Sequence, residues 1–458
     1  MKIDLLVAEI GSTTTVVNGF DGFDSCPKFI GQGQFATTVL EGDVNIGLKG
    51  AIDDLSNKLS SSIEFKELVA TSSAAGGLRM TVHGLVYDMT VKAAKEAALG
   101  AGANIKLITA GKLRKSDLRK IEEARPNIIL IAGGVDYGER DTALHNAELI
   151  AEMTMDIPVI YAGNIENHED IRDIFKDLNA ELYIVDNVYP RIDELNIEPT
   201  RKVIQDVFEK HIIHAPGMEK IRDLVTGHIM PTPGAVLEAS ELLYQELGDL
   251  ITIDVGGATT DIHSVAEDSD EISRILINPE PKSKRTVEGD LGVFVNMKNI
   301  VELVGRENLS TKLNIAKEQL EDLIANHKPI PETELEVKFV ESLTLEATIT
   351  AIKRHVGRLK DLYGPSGKKT IAEGKDLTKV KHIIGTGGAL SRLPNKREII
   401  EQIPMSNKGY ELLPKADVEI LIDNHYIMAS LGVMSKKYPE LALELMKNSF
   451  RGNENGLS

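Results

Sequence analysis

The first twenty residues contain two short runs of β-forming residues, 3–10 and 14–20, separated by Gly11-Ser12-Thr13. Small and hydroxylated residues between two such runs are typical of a tight turn, so the pattern predicts a β-hairpin at the start of the chain. Further apolar runs recur with helical segments between them, which predicts parallel β-α-β units. These predicted strands are 105–109, 128–132, 158–162 and 182–185.

The middle of the chain is interrupted by Pro231-Thr232-Pro233-Gly234, which precedes an apolar-periodic helix at 235–247. A new β-forming run begins at Leu250, and we therefore predict a domain boundary close to residue 245. The remaining predicted elements are helices at 299–328 and 344–361, a strand–turn–helix unit at 381–403, and a closing helix from about Asn424.

Composition narrows the classes of function. A chain of 458 residues has room for roughly three domains, or for two domains with a large insertion. Its 52 basic and 70 acidic residues give a net charge of −18, which argues against nucleic acid as a partner. A single cysteine, Cys26, favours a reducing compartment, and the absence of a long apolar stretch predicts a cytoplasmic protein with no membrane partner.

Three glycine-rich turns are the candidate ligand-binding segments. An acid, Glu9 or Asp254, stands two residues ahead of the first and of the second turn. Taken alone, each turn is ordinary, because these residue types are what any turn requires. The candidate binding residues are Gly11, Ser12, Thr13 and Thr14 in the first turn, Gly256, Gly257, Ala258 and Thr259 in the second, and Gly385, Gly387 and Gly388 in the third.

A polyphosphate needs many hydrogen-bond donors at short range, which glycine permits and which Ser and Thr supplement. Two such turns facing each other would clamp ATP, and Glu9 and Asp254 would hold Mg²⁺ against the phosphates through its water shell. The same two acids are the candidate catalytic residues, because either would orient an attacking water. No P-loop sequence is present, so this would be phosphate binding of another kind.

The order of these motifs resembles the superfamily of actin, sugar kinases and heat-shock-chaperone ATPases. The resemblance implies an α/β, two-lobed actin-like ATPase fold with an inserted α/β subdomain. It implies a first lobe at 1–245 with the insertion at about 85–200, a second lobe at 246–419, and a closing helix at 420–458 that returns to the first lobe. The matching stretches are two phosphate loops at Glu9–Thr13 and Asp254–Asp261, connecting helices at 231–237 and 426–433, and an adenosine motif at Gly385–Pro394.

A narrower resemblance runs over nearly the whole chain. The string Thr71-Ser72-Ser73-Ala74-Ala75-Gly76-Gly77-Leu78-Arg79-Met80, with 132–136 and 161–164, resembles the MutL/GlmL family encoded beside adenosylcobalamin-dependent glutamate mutase. That family shares only its name with the mismatch-repair protein. The resemblance implies an ATP- and Mg²⁺-dependent accessory protein that reactivates or maintains the mutase by nucleotide-driven lobe closure.

Two residues depart from the superfamily pattern. Glu9 replaces the usual Asp, so its carboxylate reaches one methylene further toward Mg²⁺. Met230 stands where heat-shock chaperones carry a catalytic Glu, and a thioether cannot position water. We therefore expect hydrolysis to be slow at best, which suits a switch better than a metabolic kinase.

The same sequence features are compatible with other functions. A small-molecule kinase would use the same clamp, although no general base stands out. An actin-like filament protein is the structural alternative, and a nucleotide-binding protein without turnover is a further one. The sequence does not indicate whether the chain self-associates. Glycines at 132–136 and 161–164 end predicted parallel strands, where α/β sheets bind ligands, so a second ligand or partner site is an alternative there.

Overall fold

The computed structural model describes residues 1–11, 14–73, 77–153, 156–215, 217–365 and 367–451. These residues form two compact units. The first contains Met1–Ala239 and Ala429–Leu445, and the second contains Ser240–Met428 and the chain from Met446 onward.

The strands form three five-stranded sheets and one two-stranded sheet. In chain order they are β1 (Lys2–Ile10), β2 (Thr14–Asp21), β3 (Lys28–Ala36), β4 (Glu64–Ser72), β5 (Arg79–Gly84), β6 (Asn104–Ala110), β7 (Ile128–Ile131), β8 (Val159–Tyr161), β9 (Leu182–Ile184), β10 (Ile229–Pro231), β11 (Leu250–Val255), β12 (Thr260–Val265), β13 (Ser283–Glu288), β14 (Arg358–Gly364), β15 (Gly367–Glu373), β16 (His382–Thr386) and β17 (Glu419–Ile422).

The helices lie between these strands, as expected for an α/β protein. They are α1 (Val44–Lys58), α2 (Lys92–Gly100), α3 (Lys115–Ala124), α4 (Asp141–Ala151), α5 (His168–Phe175), α6 (Glu198–His211), α7 (Thr232–Leu247), α8 (Asp270–Ser273), α9 (Met297–Val304), α10 (Arg306–Leu313), α11 (Lys317–Ala325), α12 (Glu334–His355), α13 (Gly387–Arg392), α14 (Lys396–Met405), α15 (Met428–Met434) and α16 (Pro439–Arg451). Among the described residues, no helix combines the length and the apolar character that a bilayer crossing needs.

The two units repeat one sheet topology. In the first unit the strand order is β3-β2-β1-β4-β10, and in the second unit it is β13-β12-β11-β16-β17. In both sheets three consecutive strands form an antiparallel meander, and two later strands add in parallel on the other side of the meander's first strand. The predicted hairpin at the start of the chain is confirmed as the first two strands of this arrangement.

The third sheet lies within the first unit and is parallel throughout, with the order β6-β5-β7-β8-β9. The four predicted strands at 105–109, 128–132, 158–162 and 182–185 are confirmed as β6 to β9. The prediction missed β5, which is the strand from which the sheet extends in both directions. Its residues, Arg79-Met80-Thr81-Val82-His83-Gly84, alternate between polar and apolar, although almost all of its side chains are buried.

Three helix predictions were wrong at their boundaries. The stretch 299–328 is three helices, because Gly305 (φ 85°) and Asn314 (φ 53°) leave the right-handed region and end α9 and α10. The helix predicted at 344–361 spans 334–355, and the chain then enters β14. The closing helix begins at Met428 instead of Asn424, and it is followed by the separate helix α16.

Two helices of the first unit meet at Gly432. A Cβ at this position would lie 1.8 Å from the carbonyl oxygen of Ala235, so α15 approaches α7 more closely than any side chain allows. The two stretches that resemble connecting helices therefore cross within this unit.

Replacing Gly432 with Ala should lower the free energy of unfolding by about 1–3 kcal/mol, because the new methyl group overlaps a backbone carbonyl that cannot move alone. Urea denaturation of the whole chain measures the change. Gly289→Ala is the matched control, since a Cβ there would meet no atom within 4 Å. Equal stabilities of the two variants would contradict this close packing.

The parallel sheet also buries a histidine. His83 is fully buried, with its ring nitrogens 2.8 Å from Thr109 Oγ1 and 3.0 Å from Thr81 Oγ1, and burial lowers its pKa from 6.5 to about 3. The unfolded chain therefore binds a proton below about pH 6.5 that the folded chain binds only near pH 3.

Stability should consequently fall as the pH decreases from 6.5 toward 3, with His83 contributing a slope of up to about 1.4 kcal/mol per pH unit. Urea denaturation at a series of pH values would measure the slope for wild type and for His83→Gln, which should have a shallower slope. Equal slopes for the two proteins would contradict this account of His83.

Candidate functional site

The first turn connects β1 to β2. It is closed by a hydrogen bond of 3.0 Å from the Gly11 amide to the Thr14 carbonyl oxygen. The carbonyl oxygen of Gly11 accepts a bond of 2.9 Å from Thr37 Oγ1, which anchors the turn to the chain beyond β3. Thr14 is exposed. Ser12 and Thr13 lie outside the described residues.

Glu9, at the end of β1, is buried in a polar network. Its Oε1 accepts hydrogen bonds from Ser430 Oγ at 2.6 Å and from Asn18 Nδ2 at 3.2 Å. Asn18 Nδ2 also donates to Ser430 Oγ at 2.8 Å, and Gln32 Nε2 donates to Asn18 Oδ1 at 2.9 Å. The first acid is therefore held in a fixed position by the neighbouring strand and by α15.

Glu9 is the first of three side chains that form a row across the first sheet. Glu9 is directly paired with Thr71 on β4, and Thr71 is directly paired with Met230 on β10. Directly paired residues point to the same face of a sheet. Met230 is buried, and the buried hydroxyl of Thr71 has no hydrogen-bond partner within the described chain. The row thus offers one carboxylate and one hydroxyl, and Met230 adds no polar group.

The second turn, between β11 and β12, has the same construction. The Gly256 amide donates to the Thr259 carbonyl oxygen at 2.9 Å, as Gly11 does to Thr14. The carbonyl oxygens of the turn are occupied by the segment that follows β13: Val293 donates to Gly256 at 3.2 Å, Phe294 and Val295 to Gly257 at 2.9 and 2.7 Å, and Asn296 Nδ2 to Ala258 at 2.8 Å.

Unlike its carbonyl oxygens, three backbone amides of this turn are not used in hydrogen bonds within the described chain. Gly257 and Ala258 are exposed, Thr259 is half-buried, and no acceptor in the described part of the chain takes the amide protons of these three residues. Three consecutive amides without an acceptor in the described chain are donors available to an anion such as a phosphate. The bonded carbonyls keep the turn in this orientation.

Asp254 and Asp261 are directly paired across the second hairpin. Asp261 is buried, and its Oδ1 accepts from Arg285 Nε at 2.9 Å and Nη2 at 2.6 Å, while its Oδ2 accepts from Thr259 Oγ1 at 2.9 Å. The guanidinium compensates the charge of Asp261. Asp254, which is half-buried, is the second acid that the turn presents.

The third turn lies against the second. Thr386, at the end of β16, is directly paired with Asp254. Gly387 follows with φ 83°, and a Cβ there would lie 2.3 Å from Asp254 Oδ1. Gly385 is buried against the side chain of Ile400, whereas a Cβ on the half-buried Gly388 would meet no atom. The structure therefore brings the third turn to the carboxylate of the second.

Several residues of the site were not found from the sequence. Asp423 is buried, and its Oδ2 accepts hydrogen bonds of 2.9 Å from Thr386 Oγ1 and from the amides of Ile427 and Met428, so it ties the third turn to the start of α15. An Asp shortly before a helix is a capping signal that would have identified it. Asn18 and Ser430 are 412 residues apart, so no local pattern connects them.

The turns do not form a metal site made of protein alone. Within the described residues, no group of three or more His, Cys, Asp or Glu side chains could hold a metal ion. Glu9 and Asp254 supply a single carboxylate in each unit. A single carboxylate suits Mg²⁺, because this ion keeps several water ligands and takes others from phosphate oxygens.

The molecule is thus an α/β protein in which the same sheet topology occurs twice. Each copy carries a tight turn with an acidic residue two positions before it, which we call an acid-headed turn. The chain belongs to the MutL protein family, whose model matches residues 5–450. It is 36% identical to Protein MutL of Clostridium tetanomorphum over 459 residues, covering 96% of this chain and 98% of that protein.

Structural similarities to solved proteins are weak. A nucleotide-free acetone carboxylase has a TM-score of 0.42 at 11% identity, covering 94% of this chain and 70% of that one. A glycerol dehydratase reactivase has a TM-score of 0.33 at 11% identity, covering 94% of this chain and 100% of that one. The description of the fold therefore rests on the strand order and on the family membership.

Replacing Asp261 with Ala should lower the free energy of unfolding by about 3–5 kcal/mol, because the buried guanidinium of Arg285 loses its carboxylate. Urea denaturation measures the loss. Glu307→Ala, which breaks an exposed ion pair with Lys317, is the control and should change stability far less. A similar effect of both substitutions would contradict the assigned role of Asp261.

Proposed function

We propose that this chain binds ATP with Mg²⁺ through its two acid-headed turns and serves an adenosylcobalamin-dependent mutase, glutamate mutase, as an ATP-dependent reactivating or maintenance protein. One observation carries the nucleotide part of this proposal. A turn closed by the same backbone hydrogen bond, and preceded by an acid on the same strand, occurs in both units.

In this proposal the phosphates accept hydrogen bonds from the amides of Gly257, Ala258 and Thr259 and from the turn at Gly11. Glu9 and Asp254 hold the water shell of Mg²⁺, which would neutralise phosphate charge when bound. The nucleoside takes the third turn, where Gly388 leaves the backbone uncovered. The superfamily resemblance supports this assignment, because its members bind adenosine at the corresponding motif.

Turnover should be slow. Met230 is buried and offers no group that can accept a proton from water, and the hydroxyl of Thr71 is a poor base. Slow hydrolysis keeps the ATP-bound state populated long enough for a partner to respond to it. This supports a conformational switch over a kinase of small molecules.

The choice of partner rests on the family. Proteins of the family that this chain resembles are encoded beside glutamate mutase, which is why a cobalamin-dependent mutase is proposed as the client. Nucleotide-driven closure would change the grip on the mutase and let a damaged cofactor leave.

Nucleotide binding tests the first half of the proposal. Calorimetric titration with ATP in the presence of Mg²⁺ should show binding, and Asp254→Asn or Glu9→Gln should weaken it at least about tenfold, equivalent to about 1.4 kcal/mol. Each substitution keeps the side chain's shape and removes its charge. Asp417→Asn, at an exposed acid of the second unit, is the control and should bind ATP as wild type does. If wild type binds neither ATP nor ADP, the proposed function is wrong.

Reactivation tests the second half. Purified glutamate mutase carrying a damaged cobalamin should regain activity when this protein, ATP, Mg²⁺ and fresh adenosylcobalamin are added together. The Asp254→Asn variant should restore little activity, and the omission of ATP should have the same effect. No recovery with wild-type protein and all other components verified would rule out this role.

A further inference from the structure

The parallel sheet of the first unit exposes large apolar side chains along one edge. The segments that follow β5, β7, β8 and β9 all leave the carboxyl edge of this sheet. Each of them carries at least one such side chain in an exposed position, although apolar residues of this size are mostly buried elsewhere in the unit. We call this set the apolar patch; it consists of Val86, Tyr87, Tyr137, Ile165 and Ile192.

Hydrogen bonds join three of the four segments that carry the patch. The Tyr137 amide donates to Asn164 Oδ1 at 3.2 Å, and the Ile165 amide donates to Asp136 Oδ1 at 3.0 Å. The Asp136 amide in turn donates to the Pro190 carbonyl oxygen at 3.0 Å. The loops after β7, β8 and β9 are therefore joined directly. With strands about 4.8 Å apart, the patch spans roughly 15 Å across four strands.

Buried amide side chains hold these loops rigid. Asn164 is fully buried and accepts from the amides of Tyr137 and Glu166. Asn187 is buried and donates to the Gly134 carbonyl oxygen and to Asp136 Oδ1, both at 3.0 Å. A surface that is already ordered loses little conformational entropy when a partner binds.

The backbone at Tyr137 indicates that its side chain is kept for a purpose. Tyr137 has φ 61°, in the left-handed region that Gly or Asn adopts readily and an aromatic residue rarely does. Its side chain is 78% exposed, so packing in the folded chain does not compensate this conformation. A strained and exposed aromatic residue points to selection for contact with something outside the chain.

The charges around the patch indicate what kind of partner fits. Of the two arginines on these loops, Arg140 is bonded to Asp170 and Arg191 to Glu194. The other exposed charges on the loops are acidic, and they include Asp88, Glu139, Glu166, Asp186 and Asp193. This rim repels nucleic acid and favours a surface bearing Lys and Arg.

We propose that the apolar patch is the docking surface for the mutase, and that it contacts a face of that protein with an apolar centre and a basic rim. The identity of the partner rests on the proposed function, whereas the chemistry of the matching face follows from the patch itself. The nucleotide turns and the docking surface are then separate features of the chain.

Tyr137→Asn tests the proposal without disturbing the fold. Asn suits the left-handed backbone, so the thermal midpoint should stay the same or rise, and the affinity for ATP should not change. The dissociation constant for purified glutamate mutase in the presence of ATP and Mg²⁺, measured by biolayer interferometry, should rise by about tenfold or more. Tyr363→Asn is the matched control, because Tyr363 is 80% exposed on β14 in the second unit, and it should bind the mutase like wild type.

Charge reversal tests the acidic rim. Glu166→Lys combined with Asp186→Lys should weaken mutase binding, and wild-type binding should weaken as the salt concentration rises. Binding that is unaffected by both changes would overturn the basic rim assigned to the partner.

The outcomes separate the two proposals. If wild type binds no mutase, the mutase partnership fails and takes the docking assignment with it. If wild type and Tyr137→Asn bind the mutase equally, only the docking surface is overturned. Sedimentation analysis is the third readout: self-association of wild type that Tyr137→Asn abolishes, with mutase affinity unchanged, would assign the patch to a second copy of this chain and overturn the proposal.

Discussion

In the second unit, the backbone hydrogen bond that closes the turn at Gly256 decides which groups the turn can offer to a ligand. Once Gly256 has donated to Thr259, and the segment after β13 has taken the carbonyls, the amides of Gly257, Ala258 and Thr259 are the polar groups left over. A turn of this construction selects an anion, because it presents donors and withholds acceptors. In the proposed nucleotide complex Asp254 would call for a cation beside the turn, since a carboxylate and a phosphate repel each other unless Mg²⁺ lies between them.

The duplication of this arrangement is unequal in its details. The first acid, Glu9, is buried and bonded to Asn18 and Ser430, whereas Asp254 is half-buried and lies against Gly387. Asp261 has its own guanidinium partner, and the corresponding position on β2 is the apolar Val16. The two halves therefore share a backbone arrangement and differ in the electrostatics around their acids.

The third sheet shows the opposite use of buried polar groups. In the second turn, hydrogen bonds leave the amides of Gly257, Ala258 and Thr259 uncovered. At the carboxyl edge of the third sheet, Asn164 and Asn187 take up polar groups of the loops, and the exposed side chains form an apolar patch with an acidic rim. Saturated loops with apolar tips suit a protein partner, because burial of apolar surface then supplies the binding energy without leaving polar groups unpaired.

The sequence by itself determined the local elements and the motifs. Apolar runs and glycine turns correctly predicted the first hairpin, four strands of the parallel sheet and the strand–turn–helix at Gly387, because each depends on neighbouring residues. The 299–328 helix failed because Gly305 and Asn314 end a helix by backbone conformation, which composition signals only weakly. The tertiary structure alone decided that Ser430 bonds Glu9, that Arg285 compensates Asp261, and that Tyr137 and Ile165 share a surface. Such contacts join residues that are far apart in the chain, and they exist only after the sheets bring those residues within the few ångströms over which hydrogen bonds and charges act.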